Sequence, residues 1–278
     1  MDGTVAPAAF PNGTGRGKMT RLPMTPARIA ALAIGVPVCL ALIGFGGLSL
    51  VSQIGQGQFP VHEVVPVSGG QVSAHVGGGN VLIRQDGTRQ ATLTGTAHYS
   101  LWHPAFTVRR TPGGVTFGYN CRMALGNCGV DSTLSVPAGT AVSVYTDGGN
   151  ATITGTTSEV TVSSGGGDLT ASDAAGNLTL RTQGGNINGT ALTAARVTAN
   201  TSGGDIQIQF TKVPRNVTVH TDGGSVTIIV PRGATGYKVS AHSDGGTVTD
   251  NTLPTDPNSQ NTITASSSGG DVTIREAS

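Results

Sequence analysis

Charge is scarce in this chain. Lys, Arg, Asp and Glu make up 11% of its 278 residues, against about 25% in an ordinary globular domain, and the formal net charge is only +1. So little charge of either sign leaves no basic field to draw in a phosphate backbone, and no nucleic-acid partner is expected. Aromatics are equally thin, at 4% with a single Trp, which leaves core packing to aliphatic side chains. Cysteine occurs only at Cys39, Cys121 and Cys128. Three cannot build a disulfide framework, and Cys121 with Cys128 lack the supporting His or Cys set of a zinc site. No GxSxG is present, and no Lys/Arg/Glu cluster accompanies the aspartates. Nothing therefore marks an activated nucleophile or an acid–base pair, and we expect neither enzyme activity nor a cofactor.

In excess stands Gly, with 43 residues, about twice the usual share. Thr, Ser and Asn supply most of the polarity, and hydrophobic residues still reach 37%, enough for a packed core rather than a disordered chain.

One apolar run is long. Residues 29–51, IAALAIGVPVCLALIGFGGLSLV, carry no charge, and at ~1.5 Å per residue such a helix crosses a hydrocarbon core of ~30 Å. Arg16, Lys18, Arg21 and Arg28 precede it, whereas its far flank, SQIGQGQFPVHE, is almost uncharged. The positive-inside rule then puts the N-terminus in the cytoplasm and the rest outside, on a single-pass cell-membrane anchor. A cleaved signal peptide would have a shorter apolar stretch ending in a small-x-small site, which is not evident here. Residues 1–28 read as a disordered basic cytoplasmic tail and 52–66 as a tether. In the exported part, Cys121 and Cys128 are expected to close a local disulfide.

Past residue 140 the chain repeats itself. Gly-Gly pairs begin at 148, 166, 184, 203, 223, 245 and 269, with spacings that drift from 18 to 24 residues, as in repeat architectures. Six residues before each pair stand Val142, Val160, Leu178, Val197, Val217, Val239 and Ile263. Four before stand Val144, Val162, Leu180, Ala199, Val219, Ala241 and Ala265, and two before is always Thr or Ser. This alternation puts the apolar positions on one face of a strand. Five before the pair every residue is again a hydroxyl, from Ser143 and Thr161 to Ser240 and Thr264. After the pair come Asn, Asp, Ser or Thr and then an inward residue such as Leu169, Ile187 or Val226. The unit is strand, Gly-Gly corner, strand, variable loop. Gly gives the corner a positive φ or close packing, and Asn or Asp bonds its own backbone there.

Two arrangements fit. In a β-solenoid each unit is one coil and like residues stack ~4.8 Å apart; in an antiparallel β-meander or sandwich the glycines would form hairpin turns. Uniform columns favour the solenoid, a rod of six to nine coils and roughly 30–45 Å. The fold class is thus all-β, with a repeat region 141–278 preceded by a cap region 67–140. In the latter, Val72, Ala74 and Val76 lead into Gly78-Gly79 in register, and the stretch from 96 to 121 departs from the repeat.

The basic tail and membrane segment, the step CGVDSTLSVPAGTAVSVYTDGGNATITG and the Gly-Gly-Asn/Asp corners together resemble the bacterial "putative adhesin" family of β-strand-repeat membrane proteins, whose function is largely undefined. The resemblance covers about residues 60–278. It implies a β-repeat ectodomain at the cell envelope and carries over no catalytic residue.

Asp147, Asp168, Asp205, Asp222, Asp244 and Asp271 lie along the corners. They are the carboxylates a polysaccharide-active enzyme would need, yet Asn, Ser and Gln replace them freely from unit to unit, as corner residues do. Calcium-binding repeats need a GGxGxD pattern that is missing here. His220 and His242 share a column three before the corner. Adjacent coils would stack them as a transition-metal pair, against the blander reading of two solvated side chains. The function expected is a membrane-anchored, non-enzymatic binding or adhesin-like module for cell-wall polymer, glycan or a surface protein. The alternatives are an envelope-sensing or scaffold subunit working through a membrane partner and, more remotely, the polysaccharide enzyme.

Overall fold

Alternating β-branched and hydroxyl residues leave the chain little choice but strand. The computed structural model describes residues 56–67, 70–100, 104–120, 128–233, 236–250 and 253–278, and every regular element in them is β. The expected tail, the membrane segment 29–51 and Cys121 lie outside the described residues; among these no helix is long and apolar enough to cross a membrane. In chain order the strands are β1 (Gln56–Pro66), β2 (Gln71–Val76), β3 (Val81–Asp86), β4 (Gln90–Ser100), β5 (Ala105–Thr111), β6 (Gly114–Asn120), β7 (Gly129–Pro137), β8 (Ala141–Thr146), β9 (Ala151–Thr154), β10 (Val160–Ser164) and β11 (Leu169–Ser172). They continue as β12 (Leu178–Thr182), β13 (Ile187–Leu192), β14 (Arg196–Thr201), β15 (Ile206–Phe210), β16 (Asn216–Thr221), β17 (Val226–Val230), β18 (Lys238–Ser243), β19 (Val248–Thr249), β20 (Thr262–Ser267) and β21 (Val272–Glu276).

Two sheets result. One runs β1-β4-β7-β3-β9-β11-β13-β15-β17-β21-β19 and the other β18-β20-β16-β14-β12-β10-β8-β2-β6-β5. From β8 onward each unit gives one strand to each sheet, and neighbours pair in parallel with like residue on like. Val160 lies opposite Leu178 and Thr161 opposite Thr179, and the next pairing sets Leu178 on Val197 and Thr179 on Thr198. Parallel ladders exclude hairpin turns at the glycines, so the meander is not what forms. Among the described residues antiparallel pairing is confined to β1–β4, β4–β7 and β5–β6, which makes both sheets mixed.

The core lies between the sheets. Val160, Val162, Leu169, Leu180 and Ile208 are fully buried, each contributing about 1.5–3 kcal/mol on burial. Truncating Leu180 to Ala would cost about 2–5 kcal/mol, because the rigid walls cannot collapse onto the void.

Two features correct the sequence reading. Residues 56–66, expected in the tether, form β1, an edge strand paired along its length with β4. Its alternation of Phe59, Val61 and Val65, with both valines buried, is the reason. Second, order along the stack is not order along the chain. The coil β2–β3 inserts between β7 and β9 in one sheet and between β6 and β8 in the other, and β20–β21 slips beneath β18–β19. One residue is consistent with the second inversion. The position five after the first corner glycine is Ile153, Ala171, Gly189, Ile208, Ile228 and Ile274 in other coils but the half-buried Asp250 in this one. A carboxylate in a core column is costly unless hydrated, so the coil that carries it must lie at the end.

Candidate functional site

The corner has two sides with different chemistry. On the inside, the hydroxyl two before each Gly-Gly pair bonds in two directions and, except for the half-buried Ser243, is buried. Thr182 Oγ1 donates to Gly167 O of the coil before (2.9 Å) and accepts from Gly185 N of its own corner (3.3 Å). Thr201 does the same with Gly185 O and Gly204 N, and Thr221 with Gly204 O and Gly224 N. Ser243 donates to Gly270 O and Ser267 to Gly224 O, following the inverted order of the stack. The residue after the pair completes the bridge. Asn150 Oδ1 accepts from Asp168 N (2.8 Å), Asp168 Oδ1 from Asn186 N (2.7 Å), Asn186 Oδ1 from Asp205 N (2.9 Å) and Asp205 Oδ1 from Ser225 N (2.7 Å). These side chains therefore cap the next coil's backbone and not their own, contrary to the sequence expectation. Of the two reasons expected for glycine, positive φ is excluded, since none of the corner pairs has it. A Cβ on Gly185 would run into the carbonyl of Gly167, so close approach of backbones is what demands Gly.

The carboxylates sort accordingly. Asp168, Asp205 and Asp271 are ladder acceptors. The backbone N–H of Thr247, and after it the Thr247 hydroxyl, hold the Asp271 carboxyl below the ordinary carboxylate range. Asp147, Asp222 and Asp244 lie one before their pairs and face outward, toward His75 (3.9 Å), His220 (3.0 Å) and His242 (2.9 Å).

Outside the corner runs a shallow groove of about 330 Å³. Its wall is the column three before the pair, Tyr145, Ser163, Arg181, Asn200 and His220, and its rim includes Gly165, Gln183, Ser202 and Asp222. The wall strands are parallel neighbours, so Tyr145 to His220 spans about 19 Å. Tyr145 is 45% exposed and its ring meets His75 edge-on at 4.8 Å. Among the described residues Arg181 forms no ion pair. Beside the groove the outward hydroxyl column extends beyond the seven units seen in the sequence: Thr116 and Ser73 precede Ser143, and Thr264 stands between Thr218 and Ser240.

His220 and His242 are not on adjacent coils. Both pair with Ser266, one from each side, which leaves them about 9.6 Å apart along the sheet, too far for one ion to bind both without rearrangement. Among the described residues no cluster of His, Cys, Asp and Glu could hold a metal ion. In its place stands a hydrogen-bonded chain that the sequence did not reveal: Ser266 Oγ to His220 Nδ1 (2.8 Å) and His220 Nε2 to Asp222 Oδ1 (3.0 Å). Cys128 is half of a disulfide; since Cys121 lies outside the described residues, its pairing with Cys128 stays an expectation.

A family model, Toastrack DUF4097, matches residues 119–275, more than half of the sequence. The chain belongs to the Toastrack DUF4097 family. The Toastrack match begins at the end of β6 and runs into β21, so it takes in the parallel coils from β8 onward and leaves out β1–β5. No curated protein matches the chain. Among solved structures, a "putative adhesin" from Bacteroides fragilis is 16% identical, with 79% of this chain and 97% of that one covered and a TM-score of 0.43. One from Parabacteroides merdae is 14% identical, covering 79% and 96%, with a TM-score of 0.41. A "putative lipid binding protein" from Parabacteroides distasonis is 11% identical, covering 79% and 97%, at 0.42.

Proposed function

We propose that this protein is a membrane-anchored, extracytoplasmic binding module that grips an extended polar polymer, a glycan strand or cell-wall polysaccharide, along the outward face of the β8–β20 sheet. One observation carries the reading. A straight column of hydroxyls, each fixed by strand geometry, runs beside a groove walled by Tyr145, Arg181, Asn200 and His220. Repeating hydroxyls at ~4.8 Å offer a polymer many weak hydrogen bonds. Thr is stiff at χ1, so little entropy is lost on contact. The exposed Tyr145 ring supplies an apolar face, and Arg181 supplies a donor fork for hydroxyl, carboxylate or phosphate oxygens. The uncharged run 29–51 supplies the anchor.

The module acts by binding and not by turnover. Ser266, His220 and Asp222 stand in the hydrogen-bond order of a hydrolytic triad, but the His220 and Asp222 side chains are 46% and 59% exposed. Such a relay works in a dry site with donors aimed at the oxyanion, and water here competes for every bond.

The test is sedimentation of the full chain, in detergent, with insoluble cell-wall polysaccharide. Binding that falls at least tenfold in a Tyr145→Ala, Arg181→Ala double variant of unchanged melting temperature supports the groove. Binding to no polymer, or binding indifferent to both substitutions, overturns it.

A further inference from the structure

Charge is sparse on this molecule, and at one place it is left uncompensated. Where β14, β16 and β20 begin lies a pocket of about 590 Å³ lined by Arg196, Arg215, Asn216, Gln260, Asn261 and Thr262. Every one of these side chains carries a hydrogen-bond donor, and none is a carboxylate. Neither Arg196 nor Arg215 forms an ion pair among the described residues. Lys238 stands beside Thr262 in the sheet and adds a third cation to the same row. The carboxylate of that row, Glu159, lies two coils from Arg196, about 9.6 Å away. Two guanidiniums at one pocket repel each other, and nothing that lines it offsets this.

The walls are held in place. Arg215 N and Asn216 N both donate to Ala195 O (2.8 and 3.1 Å), and Thr262 N donates to Arg215 O (2.8 Å). Asn216 lies between Arg196 and Thr262 in the sheet. Its Nδ2 donates to Thr262 Oγ1 (2.8 Å) and its Oδ1 accepts from Thr218 Oγ1 (3.4 Å). Arg196, Asn216 and Thr262 come two residues before Thr198, Thr218 and Thr264 of the outward hydroxyl column, and so share its face. Arg181 flanks that column on its other side. It pairs with Asn200, four residues along the strand from Arg196, which sets the two arginines about 14 Å apart.

We propose that this pocket is an anion subsite, and that the polymer gripped by the sheet is an acidic polysaccharide whose sugar carboxylate or phosphate seats between Arg196 and Arg215. The inference rests on the polymer reading above and adds the charge of the ligand to it. A guanidinium fork bonds either oxyanion through two parallel N–H···O contacts. The carboxamides of Gln260 and Asn261 both donate and accept, as the hydroxyls of a sugar ring require.

The test is binding of the full chain, in detergent at low salt, to a polyuronate, a phosphate-bearing mannan and a neutral glucan. At least one acidic polymer should bind at least tenfold more tightly than the neutral glucan, and the tighter of the two names the oxyanion. Arg196→Ala combined with Arg215→Ala should weaken that binding at least tenfold at an unchanged melting temperature, and alter binding of the neutral glucan less than twofold. Arg275→Ala, on the outward face of the other sheet, should leave all three unchanged. The proposal is overturned if the neutral glucan binds as tightly as both acidic polymers, or if the double variant binds them like wild type. It is overturned too if Arg275→Ala costs as much as the pair, which would make the attraction diffuse. Neutral binding that depends on Tyr145 would sink the acidic subsite alone, whereas binding to no polymer sinks the binding module with it.

Discussion

Arg181 and Thr182 are neighbours in one strand and belong to two columns with opposite histories. At the position of Thr182 the residue is Thr or Ser in all seven Gly-Gly units; at the position of Arg181 it is Tyr, Ser, Arg, Asn, His, His and Ser. The inner column is uniform because each hydroxyl holds two backbone groups of two coils that no other group reaches. The outer column touches solvent, so no neighbour dictates its chemistry. Within a repeat, sameness from unit to unit marks what the stack needs to stand, and difference marks where it is free to recognise something.

That contrast can be broken most forcefully at the glycines. Gly185→Ala should cost about 3 kcal/mol in urea denaturation, since the added methyl meets backbone that cannot move without parting two coils. Gly166→Ala, where a Cβ meets nothing within 4 Å, should cost far less and sharpens the point. Next in size, Thr182→Val keeps the shape and orphans a buried carbonyl and N–H, for about 2 kcal/mol. A stability equal to wild type would mean that the hydroxyl ladder is incidental. Smaller again is the Asx ladder: Asp168→Leu should lose about 1 kcal/mol, while Asp168→Asn, which keeps the acceptor, stays within about 0.5 kcal/mol. Equal losses would revive a role for the charge itself. The smallest effect is one of pH. The hydrogen bonds from Thr247 hold the folded Asp271 carboxyl below the ordinary carboxylate range. Its contribution is thus complete above the ordinary carboxylate range and is lost as pH falls through the lowered value. Urea midpoints of wild type and Asp271→Asn should differ at neutral pH and converge in acid.

Much of the fold was legible because a strand repeat writes its register locally. Val160 above Leu178, and the hydroxyl columns beside them, follow from period-two alternation and a fixed distance to the corner. Of the six carboxylates, Asp168, Asp205 and Asp271 are corner residues as read, although their bonds go to the next coil. The candidate site was only half visible. The groove column showed only through His220 and His242, and Ser266 was invisible as the partner of His220, lying 46 residues away on a coil that chain order puts one step further along. The signal that would have found it is Asp250, a carboxylate in a column otherwise filled by Ile, Ala and Gly. β1 was missed because Phe59, Val61 and Val65 alternate too briefly to stand out beside a membrane segment.

By itself the sequence determined the coil: which residues face inward, where the backbone turns, and which hydroxyls line up once coils meet. Those are properties of one strand–corner–strand unit, set by side-chain alternation and by glycine's lack of a Cβ. The tertiary structure alone decided which coil lies on which. Every coil presents nearly the same edge, so the stacking order is settled by how much apolar surface and how many unpaired groups are left at the ends.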